Sequence, residues 1–182
     1  MNWISSHLFP WKIRSYDRFH VMSYLLGDLQ AIRTRTKTKY KDEENTKKDK
    51  YETNWLKYHP TRFPNWEGKV EFITRLRYQL YKRRADWNDY QKERFAVIEN
   101  STDENLLQIK VWYEIIEEIY RIYDTEDQTP NEAKKQFKYL INTKIANNSS
   151  IIEIKNIWKT LENRLQWIVN YFYSGHNNWF AE

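Results

Sequence analysis

Apolar residues recur at three-to-four spacing in five stretches of the chain, and each stretch predicts a helix with one buried face. The first carries Phe19, Met22, Leu25, Leu26, Leu29 and Ile32, with Ser15 or Asp17 available as a cap, and should end near Arg33. The second, from Lys69 towards Ile98, gathers Val70, Ile73, Leu76, Leu80, Trp87 and Ile98 on one side. The third, over about 102–123, is apolar around much of its circumference (Leu106, Ile109, Trp112, Ile115, Ile116, Ile119, Tyr120, Ile122) and is the expected central helix. The fourth, over about 130–146, aligns Ala133, Phe137, Leu140, Ile141 and Ile145. The fifth, over about 151–173, aligns Ile154, Ile157, Trp158, Leu161, Leu165, Ile168, Val169 and Phe172.

Start and stop signals agree with these boundaries. Ser101 to Glu104, Thr129 to Glu132 and Ser150 to Glu153 each have the spacing of a reciprocal capping box, and Pro130 suits a first helical position. Ser174–Gly175 is a helix stop. The fold class is therefore all-α with about five helices. Residues 100–182 should form a three-helix bundle with an aromatic tail. Residues 1–99 should hold a basic arm, a helix, a charged linker, a strap and a long helix.

Two segments break the pattern. Residues 33–52 are almost wholly polar, and Arg33, Arg35, Lys37 and Lys39 alternate so that an extended chain would point all four one way. Alone in water such a stretch should be mobile, and a partner would be needed to order it. Residues 55–68 combine Pro60 and Pro64 with Trp55, Tyr58, Phe63 and Trp66. The prolines argue against helix, so this reads as an extended strap anchored by its rings.

Composition narrows the function. The chain has 9 Trp, 14 Tyr and 8 Phe but only 3 Gly and 4 Pro, which disfavours a turn-rich β sandwich. Rings in the helices are expected core. Those in the arm, strap and tail have no helical stripe to join, so Trp3, Trp11, Trp55, Phe63, Trp66 and Trp179 are candidate partner anchors. Residues 1–99 hold 21 Lys and Arg against 13 Asp and Glu, whereas residues 100–182 hold 9 against 12. The first half thus presents the positive field and would meet an acidic protein surface or RNA phosphates. Arg33, Arg35, Lys37, Lys39, Arg77 and Arg84 are its candidate contacts. Arg77 and Arg84 fall within the apolar stripe of the second helix, where a stem can lie on the core and carry its charge outward.

Catalytic patterns are not evident. There is no cysteine, hence no thiolate site or disulfide. His7, His20, His59 and His176 are far apart, and no ligand pair stands at helical spacing, so neither metal nor cofactor is expected. Gly27, Gly68 and Gly175 are isolated and build no phosphate loop. Glu114, Glu117 and Glu118 read as a solvated helix face. Leu80–Tyr81–Lys82 resembles the Leu-Tyr-Arg tripeptide of small mitochondrial accessory and assembly proteins. It stands mid-helix and mid-chain with Lys for Arg, and three residues assign no family. No apolar run reaches the roughly 18 residues of a membrane span.

These observations lead to the expectation of a non-catalytic accessory subunit of a larger multiprotein complex. Its setting would be intracellular, with a mitochondrial location in view, and its partners other protein subunits. The alternative expectation is an α-helical RNA- or DNA-binding small subunit of a ribonucleoprotein.

Overall fold

A computed structural model describes residues 15–54, 57–148 and 151–174, and these are almost entirely helical. The helices are α1 (Arg18–Thr53), α2 (Lys69–Gln79), α3 (Asp89–Glu99), α4 (Glu104–Asp124), α5 (Pro130–Leu140) and α6 (Ile152–Ser174). A short 3-10 turn, Arg84–Asp86, precedes α3, and α5 runs on into a π turn, Ile141–Ile145. The fold is all-α, as the periodicity predicts. No described helix is long and apolar enough to cross a membrane.

Three elements differ from expectation. The first helix does not stop near Arg33 but continues through the polar stretch to Thr53. Its buried stripe passes from Leu25, Leu29 and Ile32 to Arg33, Thr36 and Tyr40, so polar side chains continue the helical period that apolar ones begin. Thr38, Thr46 and Thr53 donate their hydroxyls to the carbonyls four residues back, which satisfies those hydroxyls within the helix. The expected second helix is broken into α2, the 3-10 turn and α3. Arg83 and Trp87 are extended, which lets the Trp87 indole turn back and donate to the Gln79 carbonyl at 3.2 Å. Asn88 then starts α3 with a complete capping box to Gln91. Between Glu99 and α4, the expected Ser101–Glu104 box is replaced by a relay. Ser101 Oγ accepts the Asp103 N–H, and Asp103 Oδ1 accepts the Asn105 N–H.

The Thr129 box with Glu132 forms as expected, with Pro130 in the first turn. Residues 57–68 contain no helix. The Ser150 box and the Gly175 stop lie outside the described residues.

The chain forms two compact units, one drawn from 1–23 and 119–182, the other from 24–118. In the first, Ile119 and Ile122 of α4, Ala133, Phe137 and Leu140 of α5, and Ile154, Leu161 and Ile168 of α6 are all buried. Tyr123 is its aromatic hub, in contact with Phe137, Tyr171 and Phe172. In the second, α1, α2, α3 and the first part of α4 enclose Leu25, Leu29, Phe72, Leu76, Phe95 and Trp112. The Trp112 indole donates to the Leu25 carbonyl at 2.8 Å, so its one polar atom is satisfied in the interior.

Candidate functional site

Helical rather than extended backbone redistributes the four alternating cations. At 100° per residue, Arg35 and Lys39 share one face of α1, while Arg33 and Lys37 turn to another. Arg33 is buried against α2 and Lys37 half-buried; Arg35 and Lys39 are exposed. A shallow groove follows that outer face, lined by Arg35, Thr38, Lys39, Asp42, Glu43, Thr46, Lys47 and Lys50. Lys39 Nζ donates to Asn105 Oδ1 at 3.3 Å and Lys47 Nζ to Thr61 Oγ1 at 3.2 Å. Arg35 Nη2 donates to Gln108 Oε1 at 3.0 Å. The two lysines are thus steered by neutral partners, which leaves their charge available to an outside anion.

Arg33 sits differently. Its Nε donates to Gln30 Oε1 at 2.7 Å, its Nη1 to the Ile73 carbonyl at 3.2 Å and its Nη2 to Thr34 Oγ1 at 3.4 Å. Burial depresses its pKa from the ordinary arginine value, and the neighbouring positive charge of Arg77 acts in the same direction. Arg77 itself is exposed, with its guanidinium 5.4 Å from the Tyr78 ring. Arg84 lies in the 3-10 turn rather than on a continuous helix. Its head bonds Glu99 at 2.8 Å and rests over the rings of Trp87 and Phe95.

The strap folds back on α1 of its own chain. Tyr58 meets Tyr51, and Phe63 lies between Tyr40 and Phe72. Phe63 is therefore tied into internal packing. Trp66 is not: the residue is 79% exposed, and its backbone takes φ of 64° at the end of a tight turn. The turn is closed by the Trp66 N–H to the Phe63 carbonyl at 2.9 Å and the Phe63 N–H to the Glu67 carbonyl at 3.0 Å. A tryptophan in left-handed backbone costs roughly 1–2 kcal/mol. Trp3, Trp11, Trp55 and Trp179 lie outside the described residues.

Next to Trp66, Glu67 is buried and saturated. Its carboxylate accepts from Arg75 Nη1 at 2.7 Å, Arg94 Nη2 at 2.7 Å, Arg94 Nε at 3.1 Å, Asn65 Nδ2 at 2.9 Å and the Tyr90 hydroxyl at 3.3 Å. Burial alone would raise its pKa, but the bonds from Arg94 and Arg75 hold it below the usual carboxylate range. Asp103 is built on the same principle. Burial works against its charge, while the Tyr40 hydroxyl at 2.8 Å, Asn105 and Lys69 hold its pKa low. Sequence reasoning singled out neither carboxylate, because Arg94 and Tyr90 for Glu67, and Tyr40 and Lys69 for Asp103, are tens of residues away. It also missed Thr46, Lys47 and Lys50, although they continue the three-to-four spacing set by Arg35 and Lys39.

With this geometry in view, comparison with known proteins gives one result. The chain matches a transposase family, the DDE transposases of ISL3 type, over residues 4–182. It belongs to that family. No curated protein and no solved structure matches it significantly. Family membership overturns the expectation of a non-catalytic accessory subunit of a multiprotein complex: a near full-length match to a transposase places the chain among enzymes. Sequence reasoning missed this because it rests on short catalytic patterns, and none of those patterns signals this family.

The transposases' DDE name stands for three acidic residues, and strand cleavage by such a set ordinarily proceeds with divalent cations. Among the described residues, no group of three or more His, Asp or Glu side chains is placed to hold a metal ion. Glu67 and Asp103 are already neutralised by arginine, lysine, tyrosine and amide donors. These residues do not fit a metal.

Proposed function

We propose that this transposase-family chain acts on DNA and that the groove along α1 carries the phosphates of one DNA strand. The observation that supports the reading is the run of Arg35, Lys39, Lys47 and Lys50 along a single groove face, interleaved with Thr38 and Thr46 hydroxyls. From position 35 to 50 the helix rises about 22 Å. That is comparable with about six steps of a DNA strand at 3.4 Å each. Asp42 and Glu43 interrupt the run, which leaves the lining net positive and biases it towards a backbone track rather than a deep anion pocket. Contacts of this type hold DNA without reading its sequence, as a strand-handling surface requires.

The test is duplex DNA binding by fluorescence anisotropy across a salt series. Affinity should fall as salt rises, and charge reversal at Lys39 and Lys47 together should weaken binding at low salt. Removing one phosphate-neutralising charge should flatten the slope of log affinity against log salt by about 0.9. Binding by the double variant equal to that of the unaltered chain at every salt concentration refutes the groove.

A further inference from the structure

Among the described arginines of this half, Arg33 is the one whose enclosure and whose partners do not match. It is 9% exposed, yet all three of its hydrogen-bond acceptors are neutral: Gln30, Thr34 and the Ile73 carbonyl. A guanidinium has five N–H donors, so two are left without an acceptor among the described residues. Arg94, comparably enclosed at 6%, makes the contrast plain, since it spends its donors on the Glu67 carboxylate. A buried cation normally demands such a counter-charge.

Arg33 instead has a second cation beside it. Gln30 ties the two positions together, because its carboxamide oxygen accepts from the Arg33 head while its nitrogen donates to the Arg77 backbone carbonyl at 3.2 Å, which roots the exposed Arg77 side chain next to Arg33. Arg77 makes no ion pair among the described residues. Around it the sequence runs from Phe72 to Ala85 without a carboxylate while carrying Arg75, Arg77, Lys82, Arg83 and Arg84. Three of these have carboxylate neighbours: Arg75 with Glu67, Arg83 with Glu117 and Arg84 with Glu99. That leaves Lys82 and Arg77, and of these Arg77 stands beside Arg33 as a pair of like charges, with Tyr78 and Tyr81 exposed at 71% and 47%.

We infer that Arg33 and Arg77 together form a seat for one phosphate of a DNA strand, Arg33 supplying fixed donors and Arg77 a mobile clamp. Two guanidiniums sharing one oxyanion is the arrangement for which arginine is best suited, since each presents a planar fork to the oxygens. The neighbouring tyrosines offer ring faces to the sugar or base on either side of that phosphate. This seat rests on the reading that the chain acts on DNA, and supplies a fixed phosphate contact on a different face of α1 from the groove.

The experiment compares the unaltered chain with Arg77→Gln, a change at an exposed side chain whose carbonyl, not its head, serves the fold. Two ligands are used, inorganic phosphate and duplex DNA, with thermal melting and anisotropy as readouts. Arg77→Gln should melt at the same temperature or slightly higher, because a repulsion is relieved. Its DNA affinity should fall about tenfold, with the salt slope flatter by about 0.9. Arg77→Lys should recover part of the affinity. Millimolar phosphate should raise the melting temperature of the unaltered chain and leave that of Arg77→Gln unmoved. Phosphate stabilisation that depends on Arg77, combined with unchanged DNA affinity, assigns the seat to a free phosphate and overturns the DNA-strand assignment. Unchanged behaviour with both ligands overturns the seat altogether. If the Lys39 and Lys47 reversal weakens DNA binding while Arg77→Gln does not, only this inference falls. If neither set affects DNA, the functional reading falls with it.

Discussion

The two units of this chain bury their helices by different means. In the unit drawn from 119–182 and the start of α1, the interior is made of Ile, Leu and Phe stripes with Tyr123 at the centre, and the helix start at Thr129 is closed by its own box. In the unit over 24–118 an apolar core is joined to enclosed polar pairs, Glu67 with Arg94, Asp103 with Tyr40, and Arg33 with backbone and amide oxygens. Apolar burial is non-directional and tolerates small errors of fit. A buried charge pair tolerates none, because each partner left alone keeps its full desolvation cost. The second unit therefore owes its shape to particular residue pairs in a way the first does not.

The largest test of that contrast removes one member from each kind of core. Glu67→Ala should destabilise by about 3–5 kcal/mol, because it strands Arg94 in a site that is almost closed to water. Phe137→Ala in the other unit should cost a similar 3–5 kcal/mol or so, through reduced burial and the cavity left behind. The second substitution at each site separates them. Replacing Glu67 and Arg94 together by Met should restore much of the stability, whereas no partner change repairs the Phe137 cavity. Urea unfolding of these variants reads this directly, and an unrecovered Glu67–Arg94 double variant would break the comparison.

A smaller effect concerns pH. Asp103 has a folded-state pKa below its ordinary value, so its carboxylate stabilises the fold above the unfolded pKa of about 4. That contribution is lost as pH falls through the depressed value, because protonation is then favoured in the unfolded chain first. Asp103→Asn should lower stability at pH 7 by about 1.5–3 kcal/mol, the range for a hydrogen bond to a charged group. It should also flatten the acid limb of the stability curve. An acid limb of unchanged steepness in the variant would remove Asp103 from the account.

The smallest expected change is at Trp66. Glycine accepts left-handed backbone without strain, so Trp66→Gly should shift stability by no more than about 1 kcal/mol, in the stabilising direction. A clear destabilisation would mean that the exposed ring contributes to the fold.

How much is legible in the sequence follows the same division. The α5 and α6 stripes and the Thr129 box are readable because an apolar period and a cap are local properties of a few consecutive residues. The polar continuation of α1 is not, since Arg33, Thr36 and Tyr40 look solvent-facing until distant partners such as Ile73 and Asp103 are known. The break between α2 and α3 is hidden for a related reason. Leu80, Trp87 and Ile98 all keep the period of one helix, and all are buried, although a 3-10 turn separates them. At the candidate site, the sequence marks Arg33, Arg35, Lys39 and Arg77 as a basic group. It places Arg33 and Arg35 on one side, whereas helical geometry sends one inward to α2 and the other to the groove.

Sequence by itself determined the all-α class and the positive first half, because helical period, scarce turn residues and net charge need no knowledge of distant contacts. Tertiary structure decided which charges are neutralised and which are left over. Arg94 and Arg33 look alike along the chain, yet one closes on a carboxylate 27 residues away and the other finds only neutral oxygens. Counter-charge is a property of three-dimensional neighbours, and one-dimensional order does not encode it in any local pattern.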